Sequence, residues 1–254
     1  MQSVGELLEL AKSVASQAGD RLLSFTEEQR RYVHSRDHAK EIKALADSIL
    51  EQDILRALAP CGLPILSEES GFIAGQRPTS LRFIVDPLDG TFNFVKDLGP
   101  SAVCIALWQQ DTPVFGVIHS LWDRELVWGG PDLGAYAGDR PISVSSTPRA
   151  AEASLCTGFP VRFNLNDDSM RRFKALVSPY AKVRMLGSAA ISLLQVARGR
   201  ADAYSEQNIM LWDVAAGLAI VQGAGGMCSF QKTSLEWSYD VFASNPYLAD
   251  PQES

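Results

Sequence analysis

The segment IVDPLDGTFNF, from Ile84 to Phe94, places two carboxylates three residues apart, at Asp86 and Asp89. The apolar residues before them are typical of a buried strand, so the two acids stand where a core element ends. Like charges at this spacing repel each other unless a positive charge lies between them. A surface turn would account for Pro87 and the Asp-Gly pair, whereas a metal site would also account for the paired acids.

Three other groups of acids adjoin apolar segments. Glu68 and Glu69 follow Pro-Ile-Leu-Ser, Asp213 stands near the start of WDVAAGLAIV, and Asp47 lies in a helical pattern. An acid beside apolar residues costs free energy unless it is paired or bound to a metal. Each group alone has a plainer explanation, because a glutamate pair is usually solvated and an aspartate at a helix start usually caps the helix. Together, they predict a cleft lined by oxygen ligands.

A site of oxygen ligands without histidine or cysteine favours Mg²⁺ over zinc. Pro87 stiffens the turn so that both aspartates can point inward, and the carbonyl group of Leu88 offers a further oxygen. Gly90 lets the backbone turn tightly, and the amides of Gly90 and Thr91 could hold a phosphate, as other helix starts do. The hydroxyl group of Thr91 could orient a water molecule.

The composition is that of a globular protein with one large domain or two small ones, since 46% of the 254 residues are hydrophobic and 21% are charged. The net charge of -7 argues against nucleic acid as the main partner. It leaves a phosphorylated substrate open, because bound cations reverse the local sign. The four cysteines form no CxxC pair, so we expect reduced core thiols. We find no signal-peptide pattern and no apolar span of about 20 residues, which predicts no membrane contact and a cytoplasmic location.

The apolar pattern predicts the elements that position these acids. Helices are expected over 4–25 and 39–58, and a short strand at 64–66 leads to the glutamate pair. A polar loop at 71–80 then precedes the strand LRFIV, which leads to the aspartate pair. The neighbouring strand-like segments predict a largely antiparallel sheet covered by the two helices; they are 101–108, 113–120, 125–130, 135–137 and 142–146.

Strands and helices alternate after a connector at 145–152, which predicts an α/β part. We therefore divide the chain near residue 148. Residues 1–147 would carry the N-terminal helices, the largely antiparallel sheet and most of the metal ligands, and residues 148–254 would carry Asp213 and the substrate-facing residues. The expected helices of this second part are 167–177, 188–198 and 212–222, and the expected strands are 154–159, 182–186, 201–205 and 227–230.

With these motifs the chain resembles the inositol monophosphatase family of magnesium-dependent, lithium-sensitive phosphomonoesterases. The family pattern is an acid in an early helix, then Glu-Glu, DPxDGTxNF and WDxAAG. The resemblance implies an α/β (α+β) fold, a layered α/β/α/β/α sandwich, and commonly a homodimer. The matching residues are Asp47, Ser67–Ser70, Asp86–Phe94 and Trp212–Gly217, and Gly187–Ala190 and Gly199–Glu206 are similar to stretches of the family that contact substrate.

The resemblance also implies two or three Mg²⁺ ions per active site and hydrolysis by a metal-activated water. The metal ligands would be Glu68, Asp86, the Leu88 carbonyl group, Asp89 and Asp213. The catalytic residues would be Asp47 and Thr91, which position the attacking water, together with Glu68. The residues facing the substrate would be Leu88, Asp89, Gly90, Thr91, Gly187, Ser188, Ala189, Glu206 and Asp213.

Two departures from the family pattern lie around the predicted pocket. Lys43 and Ala44 stand where the family usually has Val and Thr, and Phe92 stands where inositol-type members more often have a second Thr. The expected substrate is a small polyol or sugar monophosphate, with inositol monophosphate first. The alternatives are the same chemistry on histidinol phosphate, fructose bisphosphate or an adenosine bisphosphate, or a non-catalytic relative that binds a phosphorylated ligand or a partner protein.

Overall fold

The described part of the chain forms two large β-sheets, with helices between them and on both outer faces, and a small two-stranded antiparallel sheet at residues 33–35 and 43–44. The computed structural model describes residues 2–31, 33–35, 43–159 and 165–248, without the side chains of 33–35 and 43–44. The helices are α1 (Val4–Leu23), α2 (Glu27–Arg31), α3 (Leu45–Leu58), α4 (Thr91–Lys96), α5 (Asp167–Val177), α6 (Ala189–Ala197) and α7 (Leu211–Gly223). The strands are β1 (Val33–Ser35), β2 (Lys43–Ala44), β3 (Ile65–Ser67), β4 (Gly71–Ile73), β5 (Leu81–Asp89), β6 (Ala102–Gln109), β7 (Thr112–Ser120), β8 (Glu125–Gly130), β9 (Gly134–Ala137), β10 (Arg140–Pro141), β11 (Ser154–Thr157), β12 (Lys182–Arg184), β13 (Ala203–Met210), β14 (Met227–Lys232) and β15 (Ser238–Ser244).

The larger sheet has eight strands in the order β10-β9-β8-β7-β6-β5-β3-β4. Its neighbouring strands are antiparallel except for β3 and β5, which run parallel. The smaller sheet has five strands in the order β12-β11-β13-β15-β14. In it, β11 is parallel to both of its neighbours and β15 is antiparallel to both of its own. The first sheet is therefore largely antiparallel, as expected, and the second is mixed.

Buried apolar residues form three clusters, one for each layer of helices. Phe83 of β5 packs with Leu50 of α3 on the outer face of the larger sheet. The next residue, Ile84, faces the opposite way and joins α6, α7 and the inner face of the smaller sheet. Leu155, on the outer face of the smaller sheet, belongs to the cluster that packs against Leu176 of α5. The layers therefore run α/β/α/β/α, which confirms the predicted sandwich.

The five predicted helices are all present, and α2 and α4 were not predicted. α5 covers the predicted 167–177, and α1 ends two residues before the predicted 25. The helix predicted over 39–58 begins at Leu45, where residues 43–44 form β2 and residues 39–42 lie outside the described residues. Among the helices of the described ranges, none has both the length and the apolar composition needed to cross a bilayer.

Five strands in the structure were not predicted, namely β1, β2, β4, β10 and β15, and the first four are only two or three residues long. β4 lies within the predicted loop at 71–80; at three residues it is too short for an alternating pattern to be recognised. β15 is buried along almost its whole length, between β13 and β14. A strand covered on both faces shows no alternation of apolar and polar residues, which is why its pattern was not recognised.

The strand predicted at 142–146 is absent, since these described residues form no ladder. The amide of Ile142 donates to the carbonyl of Ala135 in β9, and the amide of Val144 donates to the carbonyl of Ala224 after α7. The segment thus bonds to two different neighbours in turn. The strand pair at this edge of the larger sheet is made by β10 instead.

The predicted division near residue 148 falls between the two sheets. The larger sheet ends with β10 before it, and the smaller sheet begins with β11 after it. Helices α6 and α7 belong to the second part but pack in one cluster with residues of both sheets. We therefore keep residues 1–147 and 148–254 as a proposed division into two parts that share one continuous core.

Candidate active site

The segment DPLDG forms the end of β5. The pairing of β5 with β6 joins Asp86 to Cys104 and Asp89 to Ala102, with an irregularity between the two pairs. Pro87 lies in this irregular stretch, where its missing N–H group removes no ladder hydrogen bond. The amide of Leu88 donates to Oδ1 of Asp86 over 2.9 Å. The bulge lets both aspartates leave the sheet at the same place.

Asp213 completes a cluster of three aspartates. It lies in the first turn of α7, half-buried, and receives a hydrogen bond from the backbone of Met210 at the start of that helix. Asp86, Asp89 and Asp213 each place one carboxylate oxygen so that the three oxygens lie within 4.8 Å of one another. Residues far apart in the chain therefore meet in the way the sequence predicted.

Glu68 lies beside this cluster. It follows β3, and its amide continues the parallel ladder by donating to the carbonyl of Val85 over 3.2 Å. Its carboxyl group is in hydrogen-bond contact with that of Asp86. The parallel pairing of β3 with β5 is what brings the glutamate pair alongside the aspartate pair.

Bringing these carboxylates together costs free energy, because they are buried and like charges repel one another. Burial, followed by the charges of Glu68, Asp89 and Asp213, raises the pKa of Asp86 well above its ordinary value. Burial, followed by the charges of Glu68, Asp89 and Glu206, raises the pKa of Asp213 in the same way. A divalent cation among these oxygens would offset both effects, since opposite charge favours the ionised form. The donor set, all oxygen and all acidic, fits Mg²⁺.

Asp89 is held by the start of α6. Ser188 donates its hydroxyl hydrogen to Oδ2 of Asp89, and the amide of Ala190 donates to the same oxygen over 2.9 Å. The amides of Ala189 and Gly90 also donate to this carboxylate. Burial raises the pKa of Asp89 to about 6, although these hydrogen bonds act in the opposite direction.

Thr91 joins the aspartate turn to α3. Its hydroxyl group lies 3.1 Å from Oδ1 of Asp47 and 2.9 Å from the carbonyl oxygen of Leu88. Asp47 is buried in the first turn of α3. The pair predicted to position water is therefore adjacent to the carbonyl group predicted to bind metal.

Two glycines allow the close approach of the neighbouring loop. Gly90 has φ 81°, and a Cβ there would lie 2.9 Å from the carbonyl oxygen of Pro100. Gly187 has φ 74°, and its Cβ would lie 2.9 Å from Nδ2 of Asn93. That Asn93 amide nitrogen donates to the carbonyls of Pro100 and Leu186 over 2.9 and 2.8 Å. Asn93 thus fastens the loop before α6 to α4.

Glu206 lies on β13, buried near the aspartates. Tyr204 donates its hydroxyl hydrogen to Oε2 of Glu206 over 3.0 Å. Burial raises the pKa of Glu206 to about 7; the Tyr204 hydrogen bond lowers this pKa and the charge of Asp89 raises it. Gly158 leaves room for the carboxylate, because a Cβ at that position would lie 2.7 Å from Oε2.

The structure brings every residue predicted for the site into one connected region. Ser188, Ala189 and the Gly90 amide contact Asp89, so their predicted contacts with substrate stay a prediction. The side chains of Lys43 and Ala44 lie outside those described. The sequence analysis did not identify Glu51 or the loop contacts of Asn93. Glu51 follows Asp47 by four residues and so shares its face of α3, which was the available signal.

Comparisons with known proteins agree with this geometry. A model described as the inositol monophosphatase family matches residues 3–251. An inositol-1-monophosphatase of Synechocystis is 43% identical over 166 residues, which cover 65% of this chain and 58% of that protein.

Two solved structures are similar along nearly the whole chain. The extragenic suppressor protein suhB of Bartonella henselae has a TM-score of 0.84 at 30% identity, covering 95% of this chain and 94% of that one. The inositol monophosphatase of Anabaena (Nostoc) has a TM-score of 0.81 at 30% identity, covering 97% and 93%.

Proposed function

We propose, because the chain belongs to the inositol monophosphatase family, that it is a phosphatase that hydrolyses a small polyol or sugar monophosphate with Mg²⁺. Inositol monophosphate is the first substrate to test. The observation that carries the proposal is the meeting of Asp86, Asp89 and Asp213 within 4.8 Å, next to Glu68. Burial and mutual repulsion raise the pKa of Asp86 and of Asp213. Cations among these oxygens would offset both effects, and a phosphate ester would bring the remaining oxygen ligands.

The proposed metal ligands are Glu68, Asp86, Asp89, Asp213 and the carbonyl oxygen of Leu88. The Leu88 carbonyl oxygen lies 2.9 Å from the Thr91 hydroxyl group, and its two lone pairs leave a place for an ion. When bound, two or three Mg²⁺ ions would supply charge neutralisation of the phosphoryl oxygens and activation of a water molecule.

Thr91 and Asp47 are proposed to orient the attacking water. The Thr91 hydroxyl group lies 3.1 Å from Oδ1 of Asp47 and 2.9 Å from the carbonyl oxygen of Leu88. In the proposed reaction its one hydrogen is donated to Asp47, and its oxygen accepts a hydrogen bond from the water molecule. Asp47 would then accept, through Thr91, the proton that the attacking water loses as the new P–O bond forms. The ester P–O bond breaks at the same time, and the departing alkoxide takes up a proton from solvent water and leaves as the alcohol. Both groups stand on rigid elements, α3 and α4, which fixes the direction of attack.

The substrate is proposed to lie between α4, the loop before α6, and β13. The Gly90 amide donates to Asp89, so Thr91 is the amide that we assign to the phosphate. Glu206 is a candidate for binding a substrate hydroxyl group, because Tyr204 occupies only one side of its carboxylate. Gly187 keeps the loop close to α4.

The experiment that tests the proposal is a phosphate-release screen with and without Mg²⁺. The panel comprises inositol monophosphate, other polyol and sugar monophosphates, histidinol phosphate, fructose bisphosphate and an adenosine bisphosphate. We expect Mg²⁺-dependent release that is fastest on a polyol or sugar monophosphate. Release at the same rate in EDTA would contradict the proposed chemistry. Ligand binding without turnover of any ester would favour a non-catalytic relative.

Inhibition by lithium and assembly as a homodimer are further proposals that rest on the family alone, and the cytoplasmic location is a proposal that rests on the sequence pattern. Lithium titration of the phosphate release and sedimentation of the purified chain test the first two. Retained activity at high lithium concentration, or a monomer at micromolar concentration, would remove the corresponding proposal.

A further inference from the structure

Glu51 is a buried carboxylate that the proposed reaction does not use. It lies on α3, one turn after Asp47, and only 6% of its surface is exposed. Glutamate is rarely buried to this degree unless its carboxylate is paired. The groups that pair with it therefore indicate why it is there.

Both oxygens of Glu51 accept hydrogen bonds from the turn between β3 and β4. Oε1 accepts from the hydroxyl of Ser67 over 2.5 Å and from the amide of Ser70 over 2.9 Å. Oε2 accepts from the hydroxyl of Ser70 over 2.8 Å. One carboxylate thus closes the four-residue turn at its first and last residues.

Glu68 is the second residue of that turn. Its amide is bonded to Val85 of β5, and the residues on either side of the glutamate pair are bonded to Glu51. The turn is consequently fixed from the sheet on one side and from α3 on the other. Without Glu51, the Ser70 amide and both serine hydroxyl groups would lose their acceptor.

We propose that Glu51 is a positioning residue that holds the Ser67–Ser70 turn so that Glu68 meets Asp86 in the geometry for binding a divalent cation. Through Asp47 and Glu51, helix α3 aligns the water-orienting pair with the metal ligands. This inference rests on the proposed function, because it assumes that Glu68 binds metal.

Two substitutions at Glu51 distinguish a positioning role of its hydrogen bonds from an effect of its negative charge. Glu51→Gln keeps an acceptor for Ser67 and the Ser70 amide, and its NH₂ group can donate to the Ser70 hydroxyl, which rotates to accept. Glu51→Ala removes all three hydrogen bonds. If Glu51 acts by positioning the turn, Glu51→Gln should keep metal binding and Glu51→Ala should weaken it.

The measurement is binding of Mn²⁺ alone, followed by the electron paramagnetic resonance signal of the free ion, together with the Mg²⁺ dependence of phosphate release. We expect Glu51→Ala to weaken Mn²⁺ binding and raise the Mg²⁺ requirement by about 10–100-fold, the usual effect of removing a group that orients a ligand. Glu51→Gln should stay within about 3-fold of wild type, since its hydrogen bonds persist. Ser70→Ala, which removes only one hydrogen bond, should give a smaller shift of the same sign and serves if Glu51→Ala does not fold.

Asp202 provides a matched control. Like Glu51, it is a buried carboxylate that accepts from two serines and one amide: Ser145 hydroxyl over 2.7 Å, Ser154 amide over 2.7 Å and Ser154 hydroxyl over 3.0 Å. It contacts none of the proposed metal ligands in these bonds. Asp202→Ala should lower the melting temperature without changing Mn²⁺ affinity.

Wild-type Mn²⁺ affinity in both Glu51→Ala and Ser70→Ala would overturn the inference. Equal losses of Mn²⁺ affinity in Glu51→Gln and Glu51→Ala would also overturn it, because they would show that the negative charge of Glu51 matters rather than its hydrogen bonds. Glu68→Gln separates this result from the proposed function. If Glu68→Gln also binds Mn²⁺ like wild type, the assignment of Glu68 as a ligand is wrong; if it binds weakly while Glu51→Ala is normal, only the positioning role is wrong.

Discussion

Asp89 illustrates how single residues prepare the site. Its carboxylate accepts hydrogen bonds from the Ser188 hydroxyl and from the Ala190 amide over 2.9 Å. These donors fix the orientation of the carboxylate towards Asp86 and Asp213 before any ion binds. Preorganisation of this kind lowers the cost of ordering the ligands when the ion arrives.

Asp89→Asn should therefore abolish most of the activity while leaving the fold intact. The amide is neutral, and its NH₂ group would face hydrogen-bond donors or the cation. We expect at least a 10–100-fold loss of kcat at saturating Mg²⁺, measured by phosphate release. Asp111→Asn, at a surface ion pair with Lys232, is the control and should stay near wild type. Comparable activity in the two variants would contradict the role of Asp89.

Glu206 should make the metal-free chain less stable as pH rises. Its folded-state pKa is raised from 4.5 to about 7, mainly by burial. Between these values the folded state holds a proton that the unfolded state has released, so the free energy of unfolding falls with rising pH and the loss is complete above about 7. Glu206→Gln removes this titration and should gain on the order of 2–3 kcal/mol relative to wild type between pH 4 and 8. Denaturant melts in EDTA test this, and a pH-independent difference between the two proteins would contradict it.

The motif residues could be predicted at this scale because the residue types alone indicate what each side chain can bind. Several groups of acids beside apolar segments together indicate a binding site, although each group alone has a plainer explanation. The contacts of Glu51 and Asn93 could not be predicted, since they depend on the turn and loop that each side chain meets in three dimensions. A glutamate in an amphipathic helix otherwise looks like a solvated residue.

At the scale of elements, α7 carries Asp213 to the cluster by packing tightly on the larger sheet. Gly116 of β7 faces the backbone of α7, and a Cβ there would overlap the carbonyl oxygen of Ala216. The absence of a side chain at this point sets the distance between helix and strand. It therefore also sets the position of Asp213, one turn earlier on α7.

Gly116→Ala should push α7 away from the sheet. We expect the free energy of unfolding to fall by at least about 1–3 kcal/mol, because the atom that the new methyl group meets belongs to the backbone and cannot turn aside. We also expect kcat to fall, because Asp213 is displaced. Urea melts and phosphate release measure the two effects. Gly5→Ala on α1 is the control: the nearest atom to its Cβ is 3.9 Å away, so the helix should gain up to about 1 kcal/mol. Wild-type stability and activity in Gly116→Ala would show that α7 is not held in this way.

Most elements could be predicted because periodicity and helix signals are local. The exceptions follow from tertiary context. β15 is hidden by burial on both faces, and β4 is defined by its pairing with β3 rather than by its own three residues. Residues 142–146 have a strand-like composition, but their amides bond to two separate neighbours.

At the scale of the whole molecule, one arginine links the two proposed parts. Arg198, at the end of α6, pairs with Asp123 and, over 2.7 Å, with Glu125, and both acids lie before residue 148. The Arg198 side chain is 4% exposed, whereas the acids are 29% and 26% exposed. Removing this buried guanidinium group would take away the Arg198 partner of Asp123, whereas Glu125 would keep its pair with Arg140 over 2.8 Å.

Arg198→Ala should destabilise the chain by about 2–3 kcal/mol, less than for a fully buried ion pair because the acids are partly solvated. Arg149→Ala is the control, since its pair with Glu152 is exposed to solvent and its loss should leave the free energy of unfolding near that of wild type. Equilibrium unfolding by two probes checks both values. Equal losses would contradict the role of Arg198, and separate transitions for the two parts would contradict their shared core.

The fold as a whole brings acids from the turn after β3, from β5 and from α7 to one place, where we propose that cations bind. The most direct test is an anomalous-scattering map of crystals soaked in Mn²⁺. We predict at least two Mn²⁺ peaks among the carboxylates of Glu68, Asp86, Asp89 and Asp213, at oxygen distances of roughly 2.0–2.3 Å. A fully soaked crystal with no peak among these four acids would contradict the account.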